Sequence, residues 1–226
     1  MEYIFGPRWF YGIDYVFDLV SVIVGLLITY FAYRAYKYTS QKKYFHFAAS
    51  FFLVALAFVS NILRTIPVYS KELRIEKIGL ITITSQVVNR ISWINQFGIS
   101  IARLLMLFAF LILVLVSLKI KDKGVVVLLV YFLIISTTLV SASYIVFHIA
   151  LLIMLSILFL NYRKNYLRVK TLNAKTVMYS FCALLASQLF FIFEGTSEHF
   201  YVIAVTIQLI GYLVLLFAII KILLKK

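Results

Sequence analysis

The sequence predicts an all-α integral membrane protein, a single domain over residues 1–226 folded as a bundle of seven transmembrane helices, N-terminus out and C-terminus in. Three observations carry that expectation. The 226 residues are 64% hydrophobic and only 13% charged, with mean hydropathy +1.04. A soluble domain of that balance could not cover its exterior with polar atoms. Apolar runs near the roughly 20 residues that cross a bilayer recur along the chain. Finally, the basic residues alternate in abundance from one connection to the next, as topology requires.

The spans fall at 10–34, 44–68, 93–118, 124–141, 143–162, 175–194 and 199–220. The fourth and fifth form one apolar stretch, too long for a single crossing. It breaks at Ser141-Ala142-Ser143, where small polar residues allow a tight turn. With the N-terminus outside, the inner connections hold Arg34, Lys37, Lys42 and Lys43, then Lys119, Lys121 and Lys123, then Arg163, Lys164, Arg168, Lys170 and Lys175. Lys221, Lys225 and Lys226 follow the last span. The outer connections hold Arg8, Arg64, Lys71, Arg74, Lys77 and Arg90, and Asp122 alone of the eight acids lies inside. This is the positive-inside pattern of a multi-pass protein of the cell membrane, whose first partner is the lipid bilayer.

Smaller signals fill in the elements. The start MEYIFGPRWF lacks a basic n-region and a small-residue cleavage site, so the first span is expected to serve as its own anchor, without a removable signal peptide. Trp9, Phe10, Tyr11, Trp93 and Tyr201 mark the outer interface, and Tyr36, Tyr38, Tyr44 and Tyr162 the inner one. The one substantial connection, 69–92, contains ELRIEKIGLITITSQV. Its alternation at Leu73/Ile75 and Ile81/Ile83 suggests a short β-hairpin turning near Gly79 between the second and third helices, or else an interfacial helix. The chain closing IIKILLKK at the membrane leaves no expected output domain.

Several functions are disfavoured by what is written here. The net charge of +14 does not signal nucleic acid, because the basic residues are dealt out between spans rather than gathered on one surface. The single Cys182 permits no intramolecular disulfide and no cysteine-built metal cage. No HExxH, GxSxG or P-loop pattern occurs, and no cofactor is implied. The expectation is a protein without enzymatic activity.

What the spans do contain is charge and amide. The run WFYGIDYVFDLVSVIVGLLITYF, Trp9 to Phe31, holds Asp14 and Asp18 on one helical face, and each carboxylate in hydrocarbon costs roughly 3 kcal/mol. Asn61 and Arg64 share a face of the second span; Gln96, Ser100 and Arg103 share one of the third. His148 lies on the fifth span, Gln188 on the sixth and Gln208 on the seventh. At 1.5 Å per residue, Asp18, Arg103 and Gln208 lie roughly 13–15 Å below the outer surface, with Asn61, His148 and Gln188 a little higher. The inner half of the spans is nearly all Leu, Ile, Val and Phe. Groups this costly face the bundle interior and pair there, Asp14 and Asp18 opposite Arg64 and Arg103. Two roles remain open for this slab: polar glue that fixes helix register, or a water-filled pocket that accepts a small-molecule ligand.

The chain also resembles the microbial (type 1) rhodopsin family. The likeness lies in KKYFHFA opening the second span, in ISIARLLMLF on the third, and in VTIQLIGYLVLL on the seventh, together with the topology. It implies an opsin-like bundle in which Arg103 is the inner-pocket arginine. The position of the retinal lysine falls on Gln208, and the two carboxylate positions of the Schiff base fall on Met106 and Ala204. The flanking tryptophans are absent too, so no retinal linkage is implied.

Together these point to a sensor or receptor-like protein with a polar pocket in the outer half, formed by Asp14, Asp18, Asn61, Arg64, Gln96, Ser100, Arg103, His148, Gln188 and Gln208. Its signal would pass to a membrane or cytoplasmic partner protein. The alternative is a transporter or channel component, or a subunit of a larger membrane complex. The apolar inner half offers such a path no polar groups to carry an ion onward.

Overall fold

The computed structural model describes residues 7–10, 12–75, 84–120, 122–138 and 143–224, those at 8, 64–75, 84–96, 136–138, 143 and 223–224 by their backbone alone. A 3-10 turn at Arg8–Phe10 leads into α1 (Ile13–Thr39), α2 (Lys42–Ile75), α3 (Thr84–Leu118), α4 (Lys123–Thr138), α5 (Ser143–Val169) and α6 (Leu172–Ile192). A second 3-10 turn, Glu194–Thr196, precedes α7 (Glu198–Leu224). Six of these, all but α4, are long and apolar enough to cross a membrane. At 16 residues, α4 rises about 24 Å, short of a hydrocarbon core of about 30 Å.

No strand occurs among the described residues. The expected hairpin fails at its first arm, because Leu73 and Ile75 lie inside α2; Gly79, Ile81 and Ile83 lie outside the described residues. The physical reason is that two alternating pairs are a weak signal, and an isolated hairpin is marginal in water. A helix already nucleated in the membrane extends instead, gaining one backbone hydrogen bond per residue added.

Backbone caps at one end of the bundle explain where helices stop. Ser40, Lys119 and Lys170 adopt φ of 54, 57 and 51° just beyond the ends of α1, α3 and α5. This left-handed turn lets the N–H of Ser40 donate to Tyr36 O at 2.7 Å and that of Lys170 to Tyr166 O at 2.7 Å, satisfying otherwise orphaned carbonyls. The connection then restarts at Thr171, whose Oγ1 accepts the Ala174 N–H at 3.4 Å to cap α6. The same end gathers the basic side chains, several laid over rings: Arg34 on Tyr38, Lys43 on Tyr44, Lys175 on Tyr179 and Lys221 on Phe217. We call it the basic end.

The helices pack as a ring, α1 on α2, α2 on α3, α3 on α5, α5 on α6, α6 on α7 and α7 back on α1. α4 stands outside it, touching α3 and α5. It buries Leu133 while leaving Val127, Tyr131 and Phe132 exposed. Close approach of α1 and α2 depends on Gly25, where an added Cβ would stand 3.2 Å from Ala55 Cβ. Toward the basic end the ring is filled by Ile28, Phe51, Leu107, Phe110, Leu155, Leu158, Phe181 and Leu215, each almost fully buried. Tyr162 stacks on Phe181 at 4.6 Å, and Asn161 bonds Ser117 between α5 and α3. Phe10, expected in the interface belt, is 3% exposed because it packs edge-on against Tyr201 and beside Phe17.

Candidate functional site

At the end away from the basic one, six helices enclose a cavity of about 140 Å³. That is room for roughly ten waters or a small molecule. α1 contributes Asp14, Asp18 and Ser21; α2 contributes Phe58 and Asn61; α3 contributes Ile99, Ala102, Arg103 and Met106. The opposite wall comes from Tyr144, Phe147, His148 and Leu151 on α5, Gln188 and Phe191 on α6, and Tyr201, Val205 and Gln208 on α7.

Of the ten residues expected in a polar pocket, Asp14, Asp18, Asn61, Arg103, His148, Gln188 and Gln208 line this one cavity. Ser100 is half-buried on α3 and does not line it, since a stripe drawn at steps of three and four drifts off a single facing point. The side chains of Arg64 and Gln96 lie outside the described residues. The aromatic wall lies outside the expected pocket. Tyr201 is expected at the interface, and nothing in the sequence marks Tyr144, Phe147 and Phe191, because aromatic residues are abundant on the spans and carry no signal of which way they face.

Each polar group has a local reason for its place. Asp14 sits in the first turn of α1, where its Oδ1 accepts the N–H of Gly12 at 3.0 Å and of Tyr15 at 2.8 Å. A carboxylate there also meets the positive end of the helix dipole. The Arg103 guanidinium carbon lies 5.6 Å from the Tyr144 ring centre and 5.7 Å from that of Phe147, a cation held over two aromatic faces. The Tyr144 hydroxyl stands between the Phe191 carbonyl, at 3.2 Å, and the Glu194 carboxylate, tying α5 to the end of α6. One turn along α7 from Gln208, the Tyr212 hydroxyl donates to Met106 Sδ at 3.9 Å.

His148 and Gln188 are the most deeply placed pair, 6% and 2% exposed, with His148 Nδ1 2.8 Å from Gln188 Oε1. Gln188 Nε2 donates in turn to Ser187 Oγ at 3.3 Å, and Ser187 donates to the Leu184 carbonyl at 2.7 Å. Removing one partner from such a chain leaves a buried polar atom unsatisfied, at about 1–3 kcal/mol. Among the described residues no three His, Cys, Asp or Glu side chains gather as a metal site.

Six apolar helices of spanning length around a buried polar cavity define a polytopic α-helical membrane protein whose outward faces contact lipid. Residues 15–74 match a family of unknown function, DUF7521. That segment covers nearly all of α1 and of α2, and so the cavity residues Asp18, Ser21, Phe58 and Asn61. No curated protein and no solved structure matches the chain.

Proposed function

We propose that the protein is a non-enzymatic, receptor-like sensor of the cell membrane, with seven spans, the N-terminus outside, and a ligand pocket open to the outer half. The observation that carries this is the cavity itself. It draws charged and amide side chains from six helices into one cavity, while the ring below it is solid with buried aliphatic and aromatic side chains. The orientation follows from the basic end, which belongs at the cytoplasmic face. The seventh span is the apolar run 124–141, of which α4 is the described part. A ligand binding between six helices would shift their packing, and the basic connections would pass the change to a partner protein.

The solid layer also weighs against the rival reading as a transporter or channel component, because a path needs polar groups or water through the whole thickness. The pocket reading is tested with Gln208→Cys in a Cys182→Ala background. A membrane-impermeant thiol reagent added outside intact cells should label it, and the same reagent confined to the cytoplasmic side of inverted vesicles should not. Labelling from the cytoplasmic side would put the opening on the wrong face.

An opsin-like architecture is part of the proposal. Arg103, Met106 and Gln208, which fall at the arginine, counter-ion and lysine positions of the resemblance, line a common cavity, and Ala204 is buried one turn before Gln208. With an amide in place of a primary amine, no Schiff base can form. Purified protein incubated with all-trans retinal is therefore expected to develop no red-shifted absorption band. A band that borohydride abolishes would contradict the role given to Gln208.

A further inference from the structure

The hydrogen-bond chain behind the cavity wall determines which nitrogen of His148 faces a ligand, and with the pocket reading as its premise it names the ligand's chemistry. The Leu184 carbonyl takes the Ser187 proton at 2.7 Å, so Ser187 Oγ is left as the acceptor for Gln188 Nε2 at 3.3 Å. That orientation of the amide turns Oε1 toward His148 Nδ1 at 2.8 Å. Oε1 can only accept, so Nδ1 carries the proton, and in the neutral imidazole Nε2 is then left with a lone pair.

This acceptor is held rigidly. Phe191 stacks on the imidazole at 4.8 Å and 19°, and Tyr144 and Phe147 close on it at 4.4 and 4.8 Å. The ring is 6% exposed and lines the cavity, yet among the described residues no protein group donates to Nε2. In folded proteins an acceptor this buried is satisfied by water or a ligand when no protein group supplies the donor, and here that partner must come from the cavity.

We propose that His148 Nε2 is the orienting acceptor of the cavity, and that the ligand is a small neutral molecule with an apolar body and one O–H or N–H donor directed at it. An anion such as a carboxylate offers Nε2 no proton. A cation would have to approach beside Arg103, whose guanidinium lies over the neighbouring Phe147 ring. The aromatic rings around His148 match the apolar body.

Phenol and anisole are suitable probes, alike in shape but with the donor removed in the second. Full-length protein in nanodiscs, labelled with 15N at histidine, is titrated with each; the His148 resonance is identified by its loss in His148→Phe. Phenol should move the Nε2 resonance saturably and raise the melting temperature, and anisole should bind about tenfold more weakly, the worth of one neutral hydrogen bond. Gln188→Leu, which releases the tautomer, should erase the preference, and Gln188→Glu, which still accepts from Nδ1, should keep it. If Gln188→Leu does not fold, loss of the preference in His148→Phe serves the same end. Equal binding of the two probes would overturn the donor requirement while leaving a ligand pocket in place. Saturable binding of neither would overturn both.

Discussion

Asp18→Asn and Arg103→Gln should each lower the melting temperature in detergent, and the double variant should recover much of the loss. Both residues line the same cavity, on α1 and α3, which flank α2 in the ring. Opposite charges drawn from two helices into one low-dielectric space offset each other's desolvation. Removing one partner of a buried pair costs about 3–5 kcal/mol, largely because the remaining charge is left uncompensated. Removing both leaves no such charge, so the double variant should cost much less than the sum of the two. Strict additivity would show that the two do not interact. Asp14 differs from Asp18 in its local anchoring, since its Oδ1 accepts the Gly12 and Tyr15 N–H groups at the start of α1. If both single variants match the parent, the charges are solvated by cavity water, and the balance tips from structural pairing toward binding.

The second large effect is expected at Gly211, where α7 crosses α6. A Cβ added there would stand 2.9 Å from Leu184 Cδ2, 3.0 Å from its Cγ and 3.3 Å from its backbone nitrogen. Leu184 is 1% exposed, so its side chain has no room to swing away, and the two helices must part. For Gly211→Ala two terms compete: alanine gains about 1 kcal/mol in helix propensity, against an overpacking cost of about 1–3 kcal/mol. The net loss should be small. Gly211→Val keeps the clash, adds two methyl groups and lacks alanine's propensity, so the overpacking term dominates at about 3 kcal/mol. Small residues are what allow membrane helices this closeness. Gly211→Val combined with Leu184→Ala should recover stability relative to Gly211→Val alone, as the emptied volume accepts the valine. A Gly211→Val protein that melts with the parent would mean that the α6–α7 contact is looser than described.

The elements were legible because membrane helices obey a one-dimensional rule. Burial in hydrocarbon demands about 20 apolar residues with all backbone groups bonded internally, and that demand is written residue by residue. Six of the expected spans accordingly overlap helices of spanning length. The hairpin failed where that rule ends, in the connection beyond the bilayer, because four alternating residues do not outweigh extension of an existing helix. The polar band was legible for the same reason as the spans: depth along a helix is fixed by residue number at 1.5 Å per residue. It therefore brought Asp18, Asn61, Arg103, His148, Gln188 and Gln208 to one level without any knowledge of the packing.

What the sequence by itself determined is thus the helices, their basic ends and the height of the polar side chains. Only the tertiary structure decided what surrounds those side chains. Helix order around the ring, the position of α4 outside it, the absence of Ser100 from the cavity lining and the burial of Phe10 all depend on how the helices pack and rotate about their axes. Rotation is settled by contacts such as Gly25 with Ala55 and Gly211 with Leu184, between residues far apart in the chain. The same holds for the chemistry of His148. Its proton position depends on Gln188 and Ser187, forty residues away on another helix, and a hydrogen bond between helices exists only after packing has brought donor and acceptor within reach.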